Sequence, residues 1–147
     1  MLTLITVGKL KEKFYLSACD EYVKRLRAYG GIQIIELPEV RLPENPSAAE
    51  IQGALRKEAE AVRAKLPKSC WLCTLAIEGK LLSSEQLAQM LDKVRGGGRS
   101  ELVFLIGSSF GLDEGLKRQA DLLLSMSPMT FPHHLARVML LEKIYRA

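Results

Sequence analysis

His133 and His134 are the only two histidines among the 147 residues, and Arg137 follows them at the i+4 and i+3 positions. These are the side chains best suited to move a proton or hold an anion. Neighbouring helix residues project about 100° apart, so the pair lacks the i, i+4 spacing with which two imidazoles close on a metal ion. No metal site is expected. One of the two can instead face a crevice as donor or base, because imidazole titrates near neutral pH. Arg137, one turn on and on the same face, suits a phosphate or a base edge. A solvated first-turn histidine and a surface arginine are the plain alternatives, and the residues by themselves leave both open. His133 and Arg137 are the catalytic candidates.

Two apolar runs lead towards these residues. Leu102–Ile106 runs into Gly107-Ser108-Ser109-Phe110-Gly111, and Asp121–Ser125 runs into Met126-Ser127-Pro128-Met129-Thr130-Phe131-Pro132. Each run-and-loop is followed by a helix, which is how an α/β protein builds a ligand crevice at the carboxyl ends of its strands. Glycine after a strand lets a ligand approach the backbone, and a loop of Met, Phe and Pro is expected to cover something apolar. The glycine turn is neither G-x-G-x-x-G nor a P-loop, and it lacks the lysine a triphosphate needs. Asp113 and Glu114 at the next helix start would repel phosphates. ATP and dinucleotides are therefore disfavoured. A ligand with an adenosine end and no phosphate, such as S-adenosylmethionine, fits better; a purely structural turn is the alternative.

Cys19, Cys70 and Cys73 are an odd number in a chain with no secretion signal, which argues against a disulfide framework. Cys70 and Cys73 spell C-x-x-C inside an apolar run. Three residues apart on a strand they point to opposite faces, so they are read as core thiols rather than a redox or zinc pair.

The elements that must position the site follow from periodicity. Leu2–Val7 is a short core strand ended by Gly8. A helix follows, with Phe14, Ala18, Tyr22, Leu26 and Tyr29 on its apolar side and Gly30-Gly31 as its stop. Ile32–Leu37 is a second strand, and Pro38, Pro43 and Pro46 punctuate a loop. Ser47-Ala48-Ala49-Glu50 and Ser83-Ser84-Glu85-Gln86 have capping-box spacing, so helices start at both. Between them Cys70–Ile77 is a buried strand, followed by a turn at Glu78-Gly79-Lys80. Leu102–Ile106, the most continuously apolar strand, belongs in the middle of the sheet. A short helix from Leu112-Asp113-Glu114, a strand over Asp121–Ser125 and a helix over Pro132–Arg146 complete one domain. Strands alternating with helices imply an α/β fold, a mainly parallel sheet with helices on both faces.

With 48% hydrophobic residues the chain can fill a single core. Its net charge of +4 permits a polyanionic partner without requiring one. Lys9, Lys11 and Lys13 with Lys24, Arg25 and Arg27 could track a nucleic-acid backbone, or simply solvate a helix, since Glu12, Asp20 and Glu21 lie among them. No apolar run is long enough to span a bilayer, and the start lacks the features of a signal peptide. A cytoplasmic protein without membrane partners is expected.

Val7-Gly8-Lys9-Leu10-Lys11, Thr74-Leu75-Ala76-Ile77-Glu78-Gly79-Lys80, Phe104-Leu105-Ile106-Gly107 with Gly111-Leu112, Leu124-Ser125 through Thr130-Phe131-Pro132-His133, and Arg137 with Tyr145-Arg146-Ala147 occur in this order along the whole chain. Each phrase is weak alone, but the ordered set resembles the ribosomal RNA large subunit methyltransferase H family. That resemblance implies a SPOUT-type fold with a carboxyl-terminal trefoil knot and a homodimer. It implies methyl transfer from S-adenosylmethionine to N3 of a pseudouridine in 23S rRNA, on the assembled ribosome. It puts the cofactor at Leu75, at Gly107 and at Met126, Ser127, Pro128, Met129, Thr130 and Phe131. Where the family has two glycines after the strand, this chain has Gly107-Ser108. The resemblance also implies a tail beyond Ala147 that reaches the RNA. A non-catalytic ribosome- or RNA-binding module is the alternative of another class, and a flavodoxin-like nucleotide binder is disfavoured for want of a phosphate cradle.

Overall fold

Leu102, Val103, Phe104, Leu105 and Ile106 are all almost fully buried, and a strand with no solvent-facing side belongs inside a sheet covered on both faces. In a computed structural model of the chain this strand is the middle one of five. The structure describes residues 2–8, 12–98, 101–108, 111–126 and 133–146, and of Ile77, His133 and His134 the backbone alone. In chain order the elements are β1 (Leu2–Val7), α1 (Lys13–Leu26), β2 (Ile32–Leu37), α2 (Ala48–Lys65), β3 (Trp71–Leu81), α3 (Ser84–Gly96), β4 (Leu102–Ile106), α4 (Glu114–Gln119), β5 (Leu122–Ser125) and α5 (His133–Arg146). The sheet order is β2-β1-β4-β3-β5, and every neighbouring pair is parallel.

Alternation along each strand divides the core between two helical layers. Leu2, Leu4, Cys73, Phe104 and Leu124 pack with α1, α3 and α5 through Cys19, Leu26, Leu87, Leu91, Leu140 and Leu141. Ile5, Val7, Leu72, Val103 and Leu105 pack with α2 and α4 through Ala59, Val62 and Leu116. Each fully buried leucine or valine contributes about 1.5–3 kcal/mol relative to exposure. Cys73 lies in the first layer and Cys70 packs against the second, so the C-x-x-C residues do face opposite ways. Burial pushes the Cys73 thiol up to about 12 and the Cys19 thiol up to about 11, which keeps both as inert core groups.

Both capping boxes form. Ser47 Oγ accepts from the Glu50 N–H and Glu50 accepts from the Ser47 N–H, each at 3.1 Å; Ser83 and Gln86 repeat this at 3.1 and 2.8 Å. Gly30 and Gly31 take φ of +100° and +82° and close α1 through one 3-10 turn.

Three expectations are corrected by packing. On α1 the face turned inward is Tyr15, Ala18, Cys19, Tyr22, Val23 and Leu26, while Phe14 and Tyr29 are 67% and 68% exposed. Residues 14 and 15 lie about 100° apart, so a choice between two adjacent aromatics shifts the stripe by one position. On α5 the spacing predicts a stripe of Leu135, Val138, Met139 and Glu142 with Leu141 and Tyr145 beside it, but the buried stripe is Arg137, Leu140, Leu141 and Ile144, leaving Leu135 and Met139 partly exposed. The turn expected at Glu78-Gly79-Lys80 is instead part of β3. That strand makes an irregular excursion after Leu75 and rejoins β5 at Lys80. Pro132, expected to open α5, lies outside the described residues.

Candidate functional site

The order β4-β3-β5 brings three of the expected loops to one edge. Gly107 leaves β4, Leu75 lies in β3 where Thr74 pairs with Leu105 and Leu75 with Leu124, and Met126 leaves β5. Residues spread over about fifty positions of chain thus share the carboxyl edge of three adjacent strands. Leu75 and Met126 are half-buried against the α1/α3/α5 side of the core. Ser127, Pro128, Met129, Thr130 and Phe131 lie outside the described residues.

The turn after β4 is closed by its own bonds. The Gly111 N–H donates to the Ser108 carbonyl at 2.9 Å, and Gly111 takes φ of +97°, open to glycine. A Cβ on Gly107 would lie 2.5 Å from the Gly111 carbonyl oxygen and 2.6 Å from Leu112 Cγ. Gly107 is therefore required by the turn's own packing, a reason separate from ligand approach. The Ser108 side chain is buried. Its hydroxyl donates to Glu58 Oε1 at 2.8 Å, and Glu58 Oε2 accepts the Val40 N–H at 2.9 Å. Burial holds the Glu58 carboxyl above the usual glutamate range, Val40 and Ser108 pull it back, and the nearby Glu39 charge adds to the rise.

At the start of α4 the Asp113 carboxylate accepts the Gly115 N–H at 3.0 Å and lies 3.7 Å from Arg63. The place a phosphate would take at a helix start is thus occupied by the protein's own anion. The same carboxylate lies where a Cβ on Gly115 would come within 2.8 Å of it.

The β3 excursion borders the site from the other side. Leu124 pairs with both Leu75 and Lys80, so residues 76–79 leave the ladder between them. Gly79 returns so close to β5 that a Cβ would meet the Leu123 carbonyl carbon and oxygen at 2.7 Å. Glu78 accepts from Lys117 Nζ at 2.7 Å; that hydrogen bond lowers the exposed carboxyl and raises the ammonium, linking the excursion to α4. Thr74, fully buried beside Leu75, finds no hydrogen-bond partner for its hydroxyl among the described residues.

Arg137 is not a surface arginine. It is 4% exposed and reaches across the carboxyl ends of β1 and β2. It donates to Glu36 Oε2 at 2.7 Å, to Thr6 Oγ1 at 2.9 Å and to the Gly8 carbonyl at 3.1 Å. With both terminal nitrogens bonded, this guanidinium holds the start of α5 to the sheet. His133 begins α5 one turn before it, and its side chain lies outside the described residues. Of the basic stretch, Lys13, Lys24, Arg25 and Arg27 are exposed on or just after α1. Arg25 pairs with Glu21 and lies over the Tyr22 and Tyr145 rings, while Lys9 and Lys11 lie outside the described residues.

Sequence reasoning missed Glu58, Glu36 and Thr6. A signal for Glu58 existed, since it interrupts the apolar stripe of α2 at i+3 from Leu55 and i−4 from Val62. A charge on a buried stripe must have partners there. Nothing in the sequence pointed to which partners.

A parallel α/β sheet covered by helices on both faces, with a glycine turn after β4 beside Leu75 and the end of β5, defines an α/β domain whose candidate site lies at the carboxyl edge of its sheet. The family model described as predicted SPOUT methyltransferase matches residues 1–147, and the chain belongs to that family. Among its relatives is the ribosomal RNA large subunit methyltransferase H of Alkaliphilus oremlandii (strain OhILAs), 46% identical over 145 residues, with 99% of this chain and 91% of that protein covered. No helix among the described residues is long and apolar enough to cross a membrane.

Proposed function

We propose that this chain transfers the methyl group of S-adenosylmethionine to N3 of a pseudouridine in the 23S rRNA of the ribosome, acting as a homodimer with a carboxyl-terminal trefoil knot. The observation that carries the cofactor part is the adjacency of Gly107, Leu75 and Met126 on one sheet edge, beside a helix start already capped by Asp113. An adenosyl ligand with a sulfonium carries no phosphate and so needs backbone groups and an apolar wall but no phosphate cradle, which suits this edge. The RNA part rests on the relative's name and 46% identity.

S-adenosylmethionine, when bound, supplies an electrophilic methyl group. The chain's own work is to hold the base in line with that methyl and to take the N3 proton, so that the nitrogen lone pair forms the new bond as the sulfonium keeps its electron pair and leaves as S-adenosylhomocysteine. Most of this is positioning, with one proton transfer. Leu75, Gly107 and Met126 through Phe131 are assigned to the cofactor, and His133 is the proton-accepting candidate. Arg137, tied to Glu36, Thr6 and Gly8, serves by fixing where α5 and His133 begin.

Calorimetry tests the cofactor assignment: S-adenosylmethionine and S-adenosylhomocysteine should bind while ATP and NAD remain silent. ATP binding with no response to either adenosyl ligand would overturn it. Ribosomes from cells lacking the protein should accept one methyl group from the purified enzyme, and His133→Ala should lower kcat more than it raises the cofactor Kd. RNA binding with no adenosyl ligand would identify a non-catalytic module instead.

A further inference from the structure

We propose that Glu58 is a positioning residue for the turn between β4 and α4, holding Ser108 and Gly111 in the arrangement the cofactor meets. The proposal rests on the cofactor reading of that turn. Glu58 itself lies on α2, and its two carboxylate oxygens take donors from two other segments. Val40 follows β2, and Ser108 follows β4. β1 lies between those strands in the sheet and pairs with both. One buried side chain thus spans the carboxyl end of β1 and fixes the exits on either side of it.

The link to the turn is short. Ser108 gives its hydroxyl to Glu58 and its carbonyl to the Gly111 N–H, and the two residues also form an isolated bridge. Holding Ser108 therefore holds both ends of the turn. Gly107 belongs to the same close-packed turn, since a Cβ added to it would meet the Gly111 carbonyl oxygen at 2.5 Å and Leu112 Cγ at 2.6 Å. Stability does not explain a carboxylate here. Glu58 is 6% exposed on the same stripe as Leu55, Ala59 and Val62, where an apolar side chain would bury without desolvating a charge. What a carboxylate adds is direction, two charge-assisted hydrogen bonds at fixed angles.

The experiment uses the full chain and reads two quantities, hydrogen–deuterium exchange at the Gly111 amide without ligand and the Kd of S-adenosylhomocysteine. Val62→Ala, a core truncation on the same helix, serves as the comparison for general loss of stability. Glu58→Ala should speed Gly111 exchange and weaken S-adenosylhomocysteine by about tenfold each, the size expected for losing one hydrogen bond to a charged group. Val62→Ala should change neither by more than about twofold after correction for its Tm. Glu58→Gln should recover most of both, since its amide can accept from the Val40 N–H and donate to Ser108 Oγ. Ser108→Ala should weaken binding alone but add nothing on top of Glu58→Ala. Should Glu58→Ala fail to fold, Ser108→Ala carries the same two readouts, because it removes only the arm that reaches the turn. Equal effects of Glu58→Ala and Val62→Ala at Gly111, or additive effects of Glu58→Ala and Ser108→Ala, would overturn the proposal. Normal S-adenosylhomocysteine binding by a variant with a loosened turn would overturn it as well. Accelerated Gly111 exchange in Glu58→Ala, with a wild-type chain that itself binds no adenosyl ligand, would leave the clamp standing and refute the cofactor reading instead.

Discussion

The two ends of the sheet are built on different principles. At the amino ends Leu2, Trp71, Leu102 and Leu122 are buried and apolar, with Trp71 edge-on to Phe104 at 6.1 Å between ring centroids. At the carboxyl ends the described residues include Thr6, Thr74, Ser108, Ser125, Glu58 and Arg137, all buried and polar; Thr3 is the exception at the other end. Apolar burial is non-directional and tolerates small shifts, whereas each hydrogen bond fixes a distance and an angle. The amino end holds the fold together, and the carboxyl end decides where particular atoms sit. Two charged groups share that second task from opposite layers. Arg137 of α5 pins β1 and β2 from one side, and Glu58 of α2 pins the exits of β2 and β4 from the other.

The largest effect that tests this contrast is expected at Arg137. Arg137→Ala leaves Glu36, Thr6 and the Gly8 carbonyl without their shared donor, and breaking a buried pair costs about 3–5 kcal/mol. Because the Glu36 side chain keeps 34% exposure, the lower end is expected, about 3 kcal/mol by urea denaturation. Arg137→Lys should recover less than half, since an ammonium cannot serve three acceptors with a planar fork. A loss under about 1 kcal/mol, the worth of an exposed pair, would erase the distinction between the two ends.

A smaller effect is expected at Gly79. Gly79→Ala places a Cβ 2.7 Å from the Leu123 backbone, where neither strand has a flexible side chain to yield. Overpacking of this kind costs about 1–3 kcal/mol. Gly53→Ala in α2, with nothing within 4 Å of the added Cβ, should instead stabilise by about 0.5–1 kcal/mol. If the two substitutions shift Tm in the same direction, the β3 excursion is not the close-packed border described above.

The smallest effect is a pH dependence at Glu58. Its carboxyl is raised in the folded state, chiefly by burial, so the native protein holds that proton more tightly than the unfolded chain does. Stability is therefore highest below the ordinary glutamate range and falls as pH rises through the folded value. Glu58→Gln carries no such charge. Relative to wild type it should gain stability between acid and neutral pH, and the difference should shrink towards zero below the unfolded glutamate pKa, about 4.3. A gap that widens on acidification would mean that the carboxylate is favoured by the fold, against the description of Glu58 as a costly positioning group.

Much of this was legible in the residues. β2 at Ile32–Leu37, the two capping boxes and the central place of Leu102–Ile106 follow from local chemistry, because an N-cap serine, a glycine stop or an unbroken apolar run acts within a few residues. The strand exits after Ile106 and Ser125 were identified for the same reason, whereas Leu75 was singled out only by the family resemblance. Less legible were the phases of α1 and α5. Phe14 and Tyr15 are adjacent aromatics that differ in the sequence by nothing that decides which turns inward. On α5 a buried arginine occupies a stripe position that hydrophobicity assigns to an apolar residue.

By itself, then, the sequence determined the order of strands and helices, most of their limits apart from the end of β3, and that the sheet would be parallel, since capping, turn and periodicity signals depend on neighbours in the chain. Through Asp113 and the absent lysine it also disfavoured a phosphate cradle at the glycine turn, and Asp113 does accept the Gly115 N–H at the start of α4. Tertiary structure alone decided that β4, β3 and β5 are neighbours, that β3 runs on past Ile77 to Leu81, and that Ser108 meets Glu58 across fifty positions of chain. It also decided that Arg137 faces inward to partners 101 and 131 positions away. The physical reason is common to all of these: a buried charge must find its partners wherever packing delivers them, and packing is set by the whole core rather than by neighbours in the chain.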